Sequence, residues 1–120
     1  MLRYTETPDK IVVFFTESTF HSESQIQEVG AGLIELCGLA TTAGKRMLLD
    51  LRDVQFMSTA MLGKLVLLNK LVKRNKVVLQ MANVERTIME KFRLTRLNKV
   101  FWIIDDDDDP DLLATSVPLH

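Results

Sequence analysis

This chain has little cysteine, little histidine and almost no net charge. A single cysteine, Cys37, leaves no disulfide framework and no cysteine metal site. The two histidines, His21 and His120, lie far apart in sequence, and no third group completes a catalytic set with either. Lysine and arginine number 15 against 16 acids, and the net charge of −1 gives no global field that favours nucleic acid or an anionic membrane. No apolar run approaches the ~20 residues of a membrane helix. The opening MLRYTETPDK carries charges and a proline where a secretion signal needs an apolar stretch. Gly30-Ala31-Gly32 falls inside a helical pattern, so no phosphate-cradling glycine loop is visible. These absences lead us to expect a cytoplasmic protein with no membrane or nucleic-acid partner, no metal, no cofactor and no enzyme activity.

What is present suits a globular domain. The 120 residues are 47% apolar and 26% charged. A chain of that length buries roughly two-thirds of the surface it exposes when unfolded. One domain over 1–120 is expected, with a core at about 10–113 and a flexible tail over 114–120. Leu2-Arg3-Tyr4-Thr5 reads as an edge strand, Thr7-Pro8-Asp9 as a turn, and Ile11 to Thr16 as a buried strand pairing back antiparallel. Ser22 or Ser24 can cap a helix that buries Ile26, Val29, Leu33 and Leu36, with Gly38 where a stop is expected and Thr41 to Gly44 as a connector. After Lys73-Arg74-Asn75-Lys76, Val77-Val78-Leu79 opens another strand. Asn83 can cap a helix carrying Val84, Ile88 and Phe92, and Val100 to Ile104 is the last strand. Strands alternating with helices after a first hairpin predict an α/β fold with a largely parallel sheet.

The stretch from Met47 to Val72, MLLDLRDVQFMSTAMLGKLVLLNKLV, organises the rest. Met47 to Leu51 is an apolar run broken only by Asp50, as in a strand covered on both faces. Arg52-Asp53 supplies turn chemistry, and Val54, Phe56 and Met57 bring apolar side chains back to the body. Ser58-Thr59 then stands at the mouth of a helix, where hydroxyl oxygens can accept from the free amides of the first turn. At about 100° per residue, Met61, Leu65, Leu68 and Val72 form one inward stripe. Gly63, Val66, Leu67, Lys70 and Arg74 lie opposite, with Thr59 on their side and Ser58 nearer the core side. On the residues alone, Ser58-Thr59 is a helix cap, whereas the outer stripe, which could be plain helix surface, shares its face with Thr59 and reads as a partner surface.

Two acidic features invite other chemistry. Asp105 to Asp109 is five consecutive carboxylates, but adjacent side chains diverge and the interleaved ligands of a calcium loop are missing, so a solvated charge run is expected. Asp50 and Asp53 echo a phosphoacceptor cluster of the response-regulator receiver type. That fold also needs an acidic pair after its first strand and a lysine after its last, where Thr16-Glu17 and the aspartate run stand instead.

The Met47–Val72 stretch resembles the signature of the STAS family, the sulphate-transporter and anti-sigma-factor-antagonist domain. Asp50-Leu51 matches the family's strand end, Val54 and Phe56-Met57 the lead-in, and Leu62-Gly63 the end of its Asp-Ser-Ser-Gly-Leu-Gly motif. Phe92 to Val100 is similar to the family's later helix end and the opening of its last strand. The resemblance runs from about residue 10 to 113. It implies a STAS-like mixed sheet, an antiparallel first hairpin followed by alternating strands and helices, with the helices packed on the sheet. It places the phosphoacceptor on Thr59, with Ser58 as the alternative. In this chain the motif's Asp is Ser58, its second Ser is Ala60 and its first Gly is Met61.

The implied function is that of an anti-sigma factor antagonist, which binds a serine/threonine kinase anti-sigma factor of the GHKL type and is switched off by phosphorylation. The implied partner surface is Ser58, Thr59, Met61, Gly63, Val66, Leu67 and Lys70, and a homodimer is allowed for. The alternative is a STAS scaffold subunit of a signalling assembly that is never phosphorylated. A small-ligand-binding STAS domain is the weaker third reading, since no distinctive pocket residue is apparent.

Overall fold

The computed structural model describes residues 1–104 and 117–119. Strand β1 (Leu2–Glu6) and strand β2 (Lys10–Phe15) form the expected antiparallel hairpin, with Leu2 opposite Phe15 and Glu6 opposite Ile11. Strand β3 (Thr19–Phe20) leads into helix α1 (Glu23–Ala43). Strand β4 (Arg46–Asp50), strand β5 (Phe56–Met57), helix α2 (Thr59–Arg74), strand β6 (Leu79–Ala82) and helix α3 (Arg86–Leu94) follow. A short 3₁₀ turn at Leu97–Lys99 precedes strand β7 (Trp102–Ile104), and strand β8 (Val117–Leu119) comes last.

The main sheet runs β7-β6-β4-β2-β1-β8, parallel from β7 through β2 and antiparallel from β2 onward. This is the mixed α/β arrangement that the alternation of elements predicts. Its alternating side chains divide between two layers. Ile11, Val13, Phe15, Met47, Leu49, Leu79 and Met81 join one large core with the buried residues of all three helices. Val12, Leu48 and Ala82 point to the other face with Phe14 and Ile104. Strands buried on both sides read as nearly unbroken apolar runs, which is why β2 and β4 are so visible in the sequence.

Several boundaries differ from the sequence reading. Helix α1 passes through Gly38 and ends at Gly44, whose φ of +68° places it in the left-handed region where glycine carries no Cβ penalty. Thr41 to Ala43 are therefore helical; the Thr41 hydroxyl donates to the carbonyl of Cys37 at 2.7 Å. At the start of α1, Ser22 is the cap, and Gln25 completes a capping box that the sequence reading left out. Strand β1 is not an edge, because Val117–Leu119 pairs along it. The aspartate run, Asp105 to Asp109, lies outside the described residues.

Candidate functional site

The loop between β4 and α2 is assembled around a buried carboxylate. Asp50 closes β4 with a fully buried side chain. Its Oδ1 accepts from the Arg52 backbone amide at 3.0 Å and from Asn83 Nδ2 at 3.1 Å. Its Oδ2 accepts from Arg52 Nε at 2.8 Å and Nη2 at 2.6 Å. Arg52 also lies 5.8 Å from the centre of the Phe14 ring. A buried charge needs such partners, and here they come from the two loops that follow β4 and β6. Asn83 is thus committed to Asp50 from a left-handed backbone conformation, φ 56°, and does not cap α3 as the sequence suggested. Glu85 caps α3 instead, accepting from the Thr87 amide at 2.9 Å.

The chain then crosses to β3. The Ser18 carbonyl accepts from the amides of Gln55, 2.7 Å, and Phe56, 3.1 Å, and the Phe20 carbonyl accepts from the Ser58 amide at 2.9 Å. This parallel pairing fixes where Ser58 sits. In a two-residue strand the side chains alternate, so only one of Phe56 and Met57 can face inward. Met57 and Val54 are buried, whereas Phe56 is 46% exposed, which corrects the expectation that all three return to the body.

Ser58 is the cap of α2. Its φ and ψ are −71° and 167°, and its Oγ accepts from the Met61 amide at 3.2 Å. Thr59 is the first helical residue, exposed, with no hydrogen bond to its hydroxyl among the described residues. Gly63, Leu67 and Lys70 are exposed on the same side, and Val66 is half-buried. Leu67, at 58%, is among the most exposed large apolar residues of the described chain. The inner stripe of Met61, Leu65, Leu68 and Val72 is buried as the periodicity predicts. Met61 is fully buried, so it belongs to the core and is withdrawn from the expected partner surface. Its amide serves the site; its side chain does not.

Two residues of α3 border this loop, and the motif gave no sign of either. Lys91 Nζ donates to the Met57 carbonyl and stands 4.9 Å from the centre of the Phe56 ring. The Thr87 hydroxyl donates to Glu85 Oε2 and lies 3.3 Å from the Gln55 carbonyl. Hydrogen bonding from Thr87, first its hydroxyl and then its amide, holds the Glu85 carboxyl below the usual glutamate range. A lysine 34 positions beyond the carbonyl it meets is placed by folding, so no local pattern announces it.

Three grooves elsewhere, of about 690, 450 and 320 Å³, are lined by residues such as Ile34 and Glu35, Gly44 and Lys76, or His21 and Glu28. Neither Ser58 nor Thr59 lines any of them. Among the described residues, no group of three or more His, Cys, Asp or Glu is placed to hold a metal. No helix among them is long and apolar enough to cross a membrane.

The sheet order, the capped helix after β4 and the motif at its mouth agree with the STAS domain, whose family model matches residues 4–109. The chain belongs to the STAS domain family. Solved structures of the same fold include an anti-sigma-factor antagonist (STAS) domain protein from Planctomyces limnophilus, TM-score 0.72 at 19% identity, covering 85% of this chain and 87% of that one. A Thermotoga maritima protein proposed to be an anti-sigma factor antagonist aligns with TM-score 0.69 at 16% identity, over 85% and 84% of the two chains. The Bacillus cell-fate determinant SpoIIAA in its phosphorylated form aligns with TM-score 0.65 at 13% identity, over 94% of this STAS chain and 99% of its own. At these identities the likeness is one of fold.

Proposed function

We propose that this STAS domain is an anti-sigma factor antagonist-like regulator that binds a GHKL-type serine/threonine kinase anti-sigma factor and is released when that kinase phosphorylates Thr59. The observation that carries the reading is Thr59 itself, an exposed hydroxyl on the first residue of a 16-residue helix that Ser58 already caps. A phosphate there meets free amides and the positive end of the helix dipole, so modification need not disturb the fold. Ser58 is the poorer acceptor, since it is half-buried and its oxygen is committed to the Met61 amide. About −1.5 to −2 charges added beside Gly63, Val66, Leu67 and Lys70 would oppose a partner covering that face. A repulsion of ~1–3 kcal/mol changes affinity roughly ten- to hundredfold. The domain is then substrate and ligand, with ATP and magnesium belonging to the kinase.

SpoIIAA, an anti-sigma factor antagonist by name, is known in both unphosphorylated and phosphorylated forms, and both share this fold with TM-scores of 0.63 and 0.65. That likeness supports a modified antagonist and does not identify the modified residue. The test is intact-mass and fragment mass spectrometry after incubation with ATP and a kinase-type anti-sigma factor from the same genome. Stoichiometric phosphate on Thr59, lost in Thr59→Ala, is expected. A stable complex that never acquires phosphate would favour the scaffold reading, in which Ser58-Thr59 is a permanent cap.

A further inference from the structure

We infer that Lys91 is a latch that leaves the Met57 carbonyl and the Phe56 ring to meet the phosphate on Thr59. The inference rests on the phosphoacceptor reading above and adds what receives the charge.

The geometry sets up a competition. In the unmodified domain the Lys91 ammonium spends one donor on the Met57 carbonyl and faces the Phe56 ring at 4.9 Å. Thr59 follows Met57 by two residues, so their Cα atoms are separated by no more than about 7 Å. A lysine is a mobile point charge with three donors on a flexible four-carbon stem, which lets it re-aim by rotamer change. The Met57 carbonyl offers the ammonium only a dipole, whereas a phosphate oxygen offers a full opposite charge, so that both partners of the hydrogen bond are ionised. The phosphate therefore wins the ammonium. Two changes reach the partner face together: the added negative charge is partly offset, and the Phe56 ring, already 46% exposed, loses the cation that covers it. Phosphorylation in this reading alters the shape and the apolar character of the surface as well as its charge.

The test does not depend on finding a kinase. Phosphothreonine is installed at position 59 by nonsense suppression, and its second ionisation is followed by phosphorus NMR in the wild-type, Lys91→Met and Lys91→Arg backgrounds. Contact with a cation favours the dianion. The wild-type midpoint is expected roughly half a pH unit below that of Lys91→Met, the size of an exposed ion pair, with Lys91→Arg near wild type. The Phe56 ring resonances of the phosphoprotein should move toward those of unmodified Lys91→Met. Coincident midpoints in all three backgrounds, with Phe56 unmoved by phosphate, would overturn the latch and leave the kinase reading intact. Failure of every kinase to modify Thr59 would do the reverse.

Discussion

Helices α2 and α3 both begin just past the C-terminal ends of parallel strands, and their mouths differ in charge. Helix α2 is capped by the neutral Ser58, with no acid in its first turn. Helix α3 is capped by the carboxylate of Glu85, drawn tight by the Thr87 amide and hydroxyl. Each mouth carries an exposed threonine, Thr59 at one and Thr87 at the other. Only the first is free of a capping carboxylate. A phosphate on Thr87 would face Glu85 and lose the bond that Thr87 makes to it, whereas a phosphate on Thr59 meets amides and a dipole without a competing carboxylate. Under the proposed switch, this difference is the reason to assign the acceptor to the hydroxyl on α2 and not to the one on α3.

The largest effect is expected where the two mouths are tied together. Asp50 holds Arg52 of the α2 loop and Asn83 of the α3 loop on the same carboxylate. Asp50→Ala leaves these donors without their buried acceptor and should cost about 1–3 kcal/mol in urea unfolding. Asp50→Asn, which keeps one acceptor oxygen, should recover part of it. Hydrogen exchange should then rise at the Arg52 amide. An unchanged midpoint would mean that the two mouths are positioned independently, and the comparison would lose its shared frame.

How much of this was legible in the sequence depends on how far each partner lies along the chain. The Ser58 cap, the inner stripe of α2 and the strands β2 and β4 obey local rules of capping and periodicity, and all are found. The roles of Asn83 and Lys91 depend on residues 33 and 34 positions away. Asn83 looks like a helix cap by type, but a buried carboxylate claims it, and Glu85 caps in its place. Gly38 looks like a stop, yet α1 continues because the left-handed turn is made at Gly44. Phe56 reads as core by hydrophobicity, and only the alternation of the short β5 turns it outward. Met61 fits both the inner stripe and the contact surface by sequence, and burial decides for the stripe.

A smaller effect separates the cap from the acceptor. Ser58→Ala removes the acceptor for the Met61 amide and should lower stability by about 1 kcal/mol, within the usual ~0.5–2 kcal/mol for a lost serine cap. Thr59→Glu should do the opposite, since an acid at the first helical position is favourable by ~0.3–1 kcal/mol at low salt. Thr87→Glu should be destabilising, because it sets a second carboxylate beside Glu85. Thermal melts of the three variants side by side sharpen the contrast between the mouths. Thr59→Glu should also weaken kinase binding while the fold stays intact. If Thr59→Glu unfolded the domain, Thr59 would be structural and the proposed switch would fail.

The smallest effect concerns the mouth that already holds its anion. Bonds from the Thr87 hydroxyl and amide favour the ionised form of Glu85, so its folded pKa lies below its unfolded value near 4.5. A group depressed in this way stabilises the fold above the unfolded pKa, and the benefit fades as pH falls through the folded one. Glu85 lies half-exposed at the surface, so solvent screens the effect and it should be slight. Glu85→Gln keeps an acceptor oxygen but not the charge. Its melting temperature should fall just below wild type at pH 7, and the two curves should converge as pH falls from 4.5 through the lowered folded pKa of Glu85, as linkage requires. Ser58 has no such titration, so Ser58→Ala should run parallel to wild type across the same range. If the Glu85→Gln difference persisted unchanged at low pH, the carboxylate's charge would contribute nothing at that mouth, and the electrical distinction between the two helix starts would reduce to the shape of their caps.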